Sequence, residues 1–159
     1  TKTGEHADGA HARYRGELGL VTWGQNVWGR PMPRKSALVL PELVGGMPRV
    51  SRPPLVANSM LICAREHRLD PDAHMILVSR EPTLDAATGR ASLDFGGRVT
   101  CPSVKNVQLV VSGTDTIVLQ FGRTGKDSFV LDFTWPLSPM QAFGFALSSL
   151  SHKLASEGG

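Results

Sequence analysis

Cysteine occurs twice and tyrosine once in the 159 residues, and aromatic side chains make up only 6%. Cys63 and Cys101 are far apart in sequence, so the chain is not a disulfide-dense scaffold and offers no Cys-x-x-Cys metal spacing. Two buried thiols in a reducing compartment are the expectation. The five histidines, His6, His11, His67, His74 and His152, are scattered and accompany no Cys or Glu cluster, so no metal site is expected. Charged residues are sparse at 19%, with a net charge of +3. Such a balance permits an anionic partner without demanding one. No signal peptide, basic targeting stretch or lipidation motif stands out. Catalytic signatures are missing too. There is no Gly-x-Ser-x-Gly elbow, and Asp70 and Asp72 bracket Pro71 as turn formers rather than as an acid/base couple. The expectation is a non-enzymatic protein without cofactor.

What the chain does contain is turn chemistry, with 17 glycines and 11 prolines. Its length suits one domain with a real core. The chain begins at Thr1, and a piece of something longer is the expectation. Residues 1–16 are polar and without periodicity, and are expected to be a flexible N-terminal segment. Beyond them, short strands are expected over 18–27, 36–40, 58–64, 73–79 and 91–95. Residues 47–54 carry Pro48, Pro53 and Pro54 and suit an exposed connection. The clearest pattern is three consecutive strands over 104–111, 116–121 and 128–133. Ile117, Leu119 and Phe121 share one face with Phe129, Leu131 and Phe133, while Gln120 and Asp132 point the other way. An antiparallel meander with one face on a core follows. The second turn, Gly122-Arg123-Thr124-Gly125-Lys126-Asp127, has the flavour of a phosphate loop. It lacks the P-loop spacing and precedes a strand, so a hairpin using glycine at positive φ is the better account.

The last segment, 138–155, opens like a helix. Ser138 can cap, Pro139 suits the first position, and Gln141 completes a capping box. At about 100° per residue, Met140, Ala142, Phe143, Phe145, Ala146 and Leu147 point nearly all round the axis. A helix apolar on every side is expected to be buried on every side, here by strands. No charge falls between Phe133 and Ser151, which raises the question of a membrane span. Pro136, Pro139, Gln141 and several hydroxyl side chains favour a core helix instead.

Three cations fall together in Gly29-Arg30-Pro31-Met32-Pro33-Arg34-Lys35-Ser36, just before a strand. The bland reading is a solvated loop end. The functional reading is an anion-binding rim, since each Lys or Arg near an acidic membrane is worth about 1 kcal/mol.

Several ordered motifs resemble one family, the C-terminal domain of tubby and tubby-like proteins. They are Gly97-Arg98-Val99-Thr100 followed by Ser103-Val104-Lys105-Asn106, then Leu119-Gln120-Phe121-Gly122-Arg123, Lys126-Asp127 and Phe129. Pro136-Leu137-Ser138, Gln141-Ala142-Phe143, Ala146-Leu147-Ser148-Ser149 and Lys153-Leu154-Ala155 with Glu157 complete the run. A weaker match reaches back through Pro33-Arg34-Lys35 and Gln25-Asn26 to Arg15-Gly16-Glu17-Leu18. The chain departs from the pattern at Pro102, which suits only a strand start or edge, at Trp135 and at Ser156. The resemblance implies a mostly β fold: an antiparallel closed barrel of about a dozen strands around a hydrophobic C-terminal helix. Residues 17–157 would form that domain, with its first third missing and helix 138–155 at its centre. It further implies a monomer that binds phosphatidylinositol 4,5-bisphosphate at the inner leaflet and tethers a protein cargo, in signalling or receptor trafficking. Arg34 would contact the headgroup phosphate, with Lys35 and Arg30 beside it. The expected location is cytoplasmic and peripheral at the plasma membrane, with nucleus or cilium as further sites. The alternatives are a nuclear DNA-binding regulator, which the mild charge disfavours, and a divergent barrel that has lost its ligand.

Overall fold

The computed structural model describes residues 17–24, 35–41, 43–44, 47–48, 59–69, 74–87, 89 and 91–151. Six strands form one antiparallel sheet in the order β1 (Leu20–Trp23), β2 (Ser36–Leu40), β5 (Met75–Ser79), β8 (Val107–Val111), β9 (Ile117–Arg123), β10 (Phe129–Phe133). Two short ladders stand apart: β3 (Leu43–Val44) with β4 (Met47–Pro48), and β6 (Thr83–Leu84) with β7 (Ala91–Ser92). The helices are α1 (Met60–Arg65) and α2 (Pro139–Ser151). The fold is mostly antiparallel β with a C-terminal helix, and among the described residues the large sheet ends at β1 and β10.

The β8–β9–β10 meander is present as expected. Leu109 pairs with Leu119, and Phe121 with both Val107 and Leu131. A register shift between Leu109 and Val110 leaves Ile117 opposite Val110 and partly exposed. The inner face continues through Leu77 and Leu38, which are opposite one another. On this face sits α2. Its Phe145 is 1% exposed and stacks on Trp23 of β1, ring centroids 5.7 Å apart. Burying one such phenyl ring contributes roughly 1.5–3 kcal/mol. The capping box forms reciprocally. Ser138 Oγ accepts from the Gln141 amide at 3.3 Å, and Gln141 Oε1 accepts from the Ser138 amide at 2.9 Å. Gln141 Nε2 also donates to the Leu18 carbonyl at 2.7 Å, tying the helix to the chain ahead of β1.

The outer face is covered in part by a strap. Phe95 is buried, Gln108 Nε2 donates to the Asp94 carbonyl at 2.7 Å, and Val99 lies over Gly122. A polar ladder runs beneath it across three strands. Gln108 is opposite Gln120, and Gln120 is opposite Asp132. Gln120 Nε2 donates to Asp132 at 2.9 Å, and Arg98 Nε and Nη2 donate to the same carboxylate at 3.0 and 2.7 Å. The outward direction inferred for Gln120 and Asp132 therefore holds, with a partner segment on top.

Four expectations need correction. Of the run 58–64 expected as a strand, residues 60–64 are helical, because Ser59 Oγ accepts from the Ile62 amide and caps α1, while Asn58 lies outside the described residues. Residues 47–48 pair with 43–44 as a short ladder apart from the main sheet instead of an unpaired connection, while 49–54 lie outside the described residues. The helix α2 is not enclosed on every side. Met140, Phe143 and Leu147 are 68%, 55% and 49% exposed, because the sheet covers only the face carrying Ala142, Phe145 and Ala146. Finally, Cys63 and Cys101 are free but only half-buried. Pro102 falls in the loop before β8, where its missing amide costs no ladder bond. Residues 1–16 and 152–157 lie outside the described residues.

Candidate anion-binding rim

Lys35 is placed by two strands at once. The Trp23–Ser36 pair closes the β1–β2 ladder, and just beyond it the Gly24 amide donates to the Lys35 carbonyl at 2.7 Å. On the other side the Ser36 amide donates to Ser79 Oγ at 2.9 Å. The backbone is thus fixed between β1 and β5, and the side chain projects into solvent. Its ammonium does not stand alone. Lys35 Nζ lies 2.7 Å from Glu81 Oε1, with both side chains about four-fifths exposed (81% and 77%). That hydrogen bond, and then its charge, raises the Lys35 pKa above its usual value and lowers that of Glu81. Of the three cations singled out in the sequence, only Lys35 lies among the described residues. Arg30 and Arg34 lie outside them.

Sequence reasoning passed over Glu81. Its only sequence signal was the Arg80-Glu81-Pro82 step that ends a strand. Its effect is to occupy Lys35 with an internal carboxylate that any anionic ligand must displace. In water such an exposed pair is weak, so the displacement is cheap.

The turn that resembled a phosphate loop is a hairpin between β9 and β10, but glycine at positive φ does not make it. Gly125 is not among the glycines at positive φ, whereas Gly113 in the preceding turn has φ 80°. The Thr124 and Gly125 amides both donate to the Ser128 carbonyl. Arg123 folds over the turn, with Nε donating to the Gly125 carbonyl at 2.6 Å and Nη2 to that of Lys126 at 2.8 Å. The Thr124 and Gly125 amides are thus spent within the turn. No group of three His, Cys, Asp or Glu residues able to hold a metal forms among the described residues. No described helix is long and apolar enough to cross a membrane.

Comparison with known proteins matches the Tub family model to residues 1–152. The chain is 40% identical over 148 residues to human tubby-related protein 2, covering 92% of this chain and 28% of the relative. It is 40% identical over 152 residues to tubby protein homolog 1 of Caenorhabditis elegans, covering 92% of this chain and 36% of that protein. Human tubby-related protein 1 is 38% identical over 148 residues, 27% of its length. The chain therefore spans about a third or less of these relatives. The Tub family is non-enzymatic, which agrees with a sequence lacking catalytic motifs. The family match and these relatives together settle the point: the chain belongs to the Tub family.

Proposed function

We propose that this chain is a phosphoinositide-binding module that tethers a protein to the inner leaflet of the plasma membrane. Phosphatidylinositol 4,5-bisphosphate is its ligand, and the Pro33-Arg34-Lys35 segment its headgroup contact. The observation that carries this reading is the placement of Lys35. Its backbone is held by β1 and β5, its cation stands in solvent at a sheet end, and Arg34 and Arg30 precede it in the sequence. A guanidinium at Arg34 can bind a phosphate bidentately, with Lys35 adding a second cation once it leaves Glu81.

The same reading takes the domain as residues 17–157 of a barrel that is closed when complete. Two features support closure by further strands: the sheet's ends at β1 and β10 among the described residues, and the exposed stripe of Met140, Phe143 and Leu147 on a helix otherwise packed on the sheet. Apolar stripes of this kind call for cover. The module acts as a monomer, peripheral at the membrane, and hands a protein cargo to it.

Vesicle flotation tests the lipid claim. Recovery should rise when phosphatidylinositol 4,5-bisphosphate is added to phosphatidylcholine vesicles, and Arg34→Ala should remove that rise while leaving thermal unfolding unchanged. Equal recovery with and without the phosphoinositide would overturn the proposal.

A further inference from the structure

Strand register brings together cations that are distant in sequence. Lys35 lies just before β2 and Arg80 just after β5, at one end of the sheet, where Ser36 and Ser79 meet. The Arg80 amide donates to the Gln108 carbonyl at 2.8 Å, which brings the start of β8, and with it Lys105, to the same end. Asn106 Oδ1 accepts from the Arg123 amide at 2.9 Å and Asn106 Nδ2 donates to the Cys101 carbonyl at 2.9 Å, so the end of β9 joins the row. The β9–β10 hairpin then adds Lys126. Among the described residues Glu81 and Asp127 lie along this row, and Glu81 is occupied by Lys35. Lys105, Arg123 and Lys126 form no ion pair among the described residues. Arg123 is held rigid by the hairpin carbonyls, so its charge is displayed with little further ordering cost.

We infer that Lys105, Arg123 and Lys126 form a second contact for an anionic membrane surface, which turns this end of the sheet toward the bilayer. The inference rests on the proposed lipid function and adds its orienting surface. Strands are about 4.8 Å apart, so β9 and β10 stand about 14 and 19 Å from the Lys35 strand. That span exceeds one headgroup, and it exceeds the Debye length of about 8 Å at physiological salt. A single bound headgroup cannot satisfy both ends of the row, whereas a charged plane can. Each cation interacts with the potential of that plane, so to first order their effects multiply.

The test uses the full chain and vesicles of phosphatidylcholine with phosphatidylserine, with or without phosphatidylinositol 4,5-bisphosphate. Lys105→Gln and Lys126→Gln should each weaken binding to phosphatidylserine vesicles about fivefold, multiplying in the double variant, while the extra gain from the phosphoinositide persists. Lys126→Arg should bind as the parent does. Arg34→Ala should show the converse, losing the phosphoinositide gain and keeping the phosphatidylserine component. Soluble inositol 1,4,5-trisphosphate should compete only with the phosphoinositide gain. Unchanged phosphatidylserine binding in the double Gln variant would overturn the inference even if the Arg34 result upheld the headgroup site. So would loss of both components to the soluble headgroup, or a loss confined to duplex DNA binding. In the parent chain, absence of any phosphoinositide gain with an intact phosphatidylserine component would instead count against the headgroup site alone. Lys126 is exposed on a hairpin tip, and matching urea midpoints for its variants would show that folding is not the cause.

Discussion

Replacing Gly122 with alanine tests how tightly the strap 94–101 is held on the sheet. An added Cβ would lie 2.8 Å from Val99 Cγ1, nearer still to Cγ2, and 3.1 Å from Val99 Cβ. Carbon atoms pack at about 3.5–4.0 Å, so Val99 must retreat by roughly 1 Å. Rotation alone cannot achieve this, since the β-carbon is itself too close and valine is stiff at χ1. The backbone is pinned on both sides. Arg98 grips Asp132, Thr100 Oγ1 donates to the Thr124 carbonyl at 3.1 Å, and the Cys101 amide donates to that of Arg123 at 3.0 Å. Overpacking of this kind costs about 1–3 kcal/mol. Against it stands about 0.5–1 kcal/mol gained by replacing a strand glycine with alanine. The clash wins, and Gly122→Ala should lower stability by about 1–2 kcal/mol, read from urea midpoints at unchanged slope. In a Val99→Ala background both methyls are gone and only the β-carbon at 3.1 Å remains, so the same substitution should cost much less. The coupling between the two sites should reach at least ~1 kcal/mol. An equal cost of Gly122→Ala in both backgrounds would refute the close-approach argument.

Three further perturbations address other contacts. Gln141→Ala removes the capping oxygen and the donor to the Leu18 carbonyl from a buried side chain, and should cost about 1–3 kcal/mol in urea unfolding. Gln141→Glu keeps the cap but loses that donor, so recovery of full stability by this variant would show the Leu18 bond to be idle. Asp132 is held below its ordinary carboxyl pKa by hydrogen bonds from Arg98 and then Gln120. Its contribution is therefore present above the unfolded value of about 3.9 and is lost as pH falls through the lower folded value. The stability gap between the parent and Asp132→Asn should close as pH drops from about 5 towards 2, and a gap independent of pH would contradict the pairing. Glu81→Gln frees Lys35, and should raise affinity for vesicles containing the phosphoinositide roughly two- to fivefold at low salt. Unchanged affinity would mean that Lys35 stays outside the headgroup contact.

Much of the fold was legible where the pattern was long. The alternation Gln120, Phe121 on β9 and Leu131, Asp132 on β10 assigned faces correctly, and Ser138 with Gln141 marked the start of α2 to the residue. The segment 58–64 misled because a short apolar run fits strand and helix alike. Ser59 carried the deciding signal, a cap whose oxygen reaches the Ile62 amide. For α2, periodicity showed an apolar perimeter but could not say how much of it strands would cover. The sheet covers Ala142, Phe145 and Ala146 and leaves Met140, Phe143 and Leu147 in solvent. Gly125 is a similar case. The turn was foreseen, yet its geometry comes from Arg123 reaching back to two carbonyls, a tertiary arrangement that glycine statistics do not contain.

The site was less legible, for a topological reason. Sequence proximity could group Arg30, Arg34 and Lys35, but Lys35, Arg80, Lys105, Arg123 and Lys126 become neighbours only once β2, β5, β8 and β9 are placed in order. The two kinds of grouping differ in how they respond to change. A one-residue register slip turns every side chain of a strand to the opposite face and would remove Trp23 from Phe145, together with the β1–β2 pairing that fixes Lys35. Cations in loops at the strand ends would still lie at the same end of the sheet. A headgroup pocket therefore depends on exact register, whereas a membrane-facing rim depends only on strand order. On the proposed lipid function, phosphoinositide selectivity and general membrane affinity should therefore be separable. Core substitutions that disturb β1–β2 register, such as Trp23→Ala, should erode the first well before the second. Equal loss of both on vesicles with and without the phosphoinositide, in a variant that remains folded, would show that a single site carries the whole interaction.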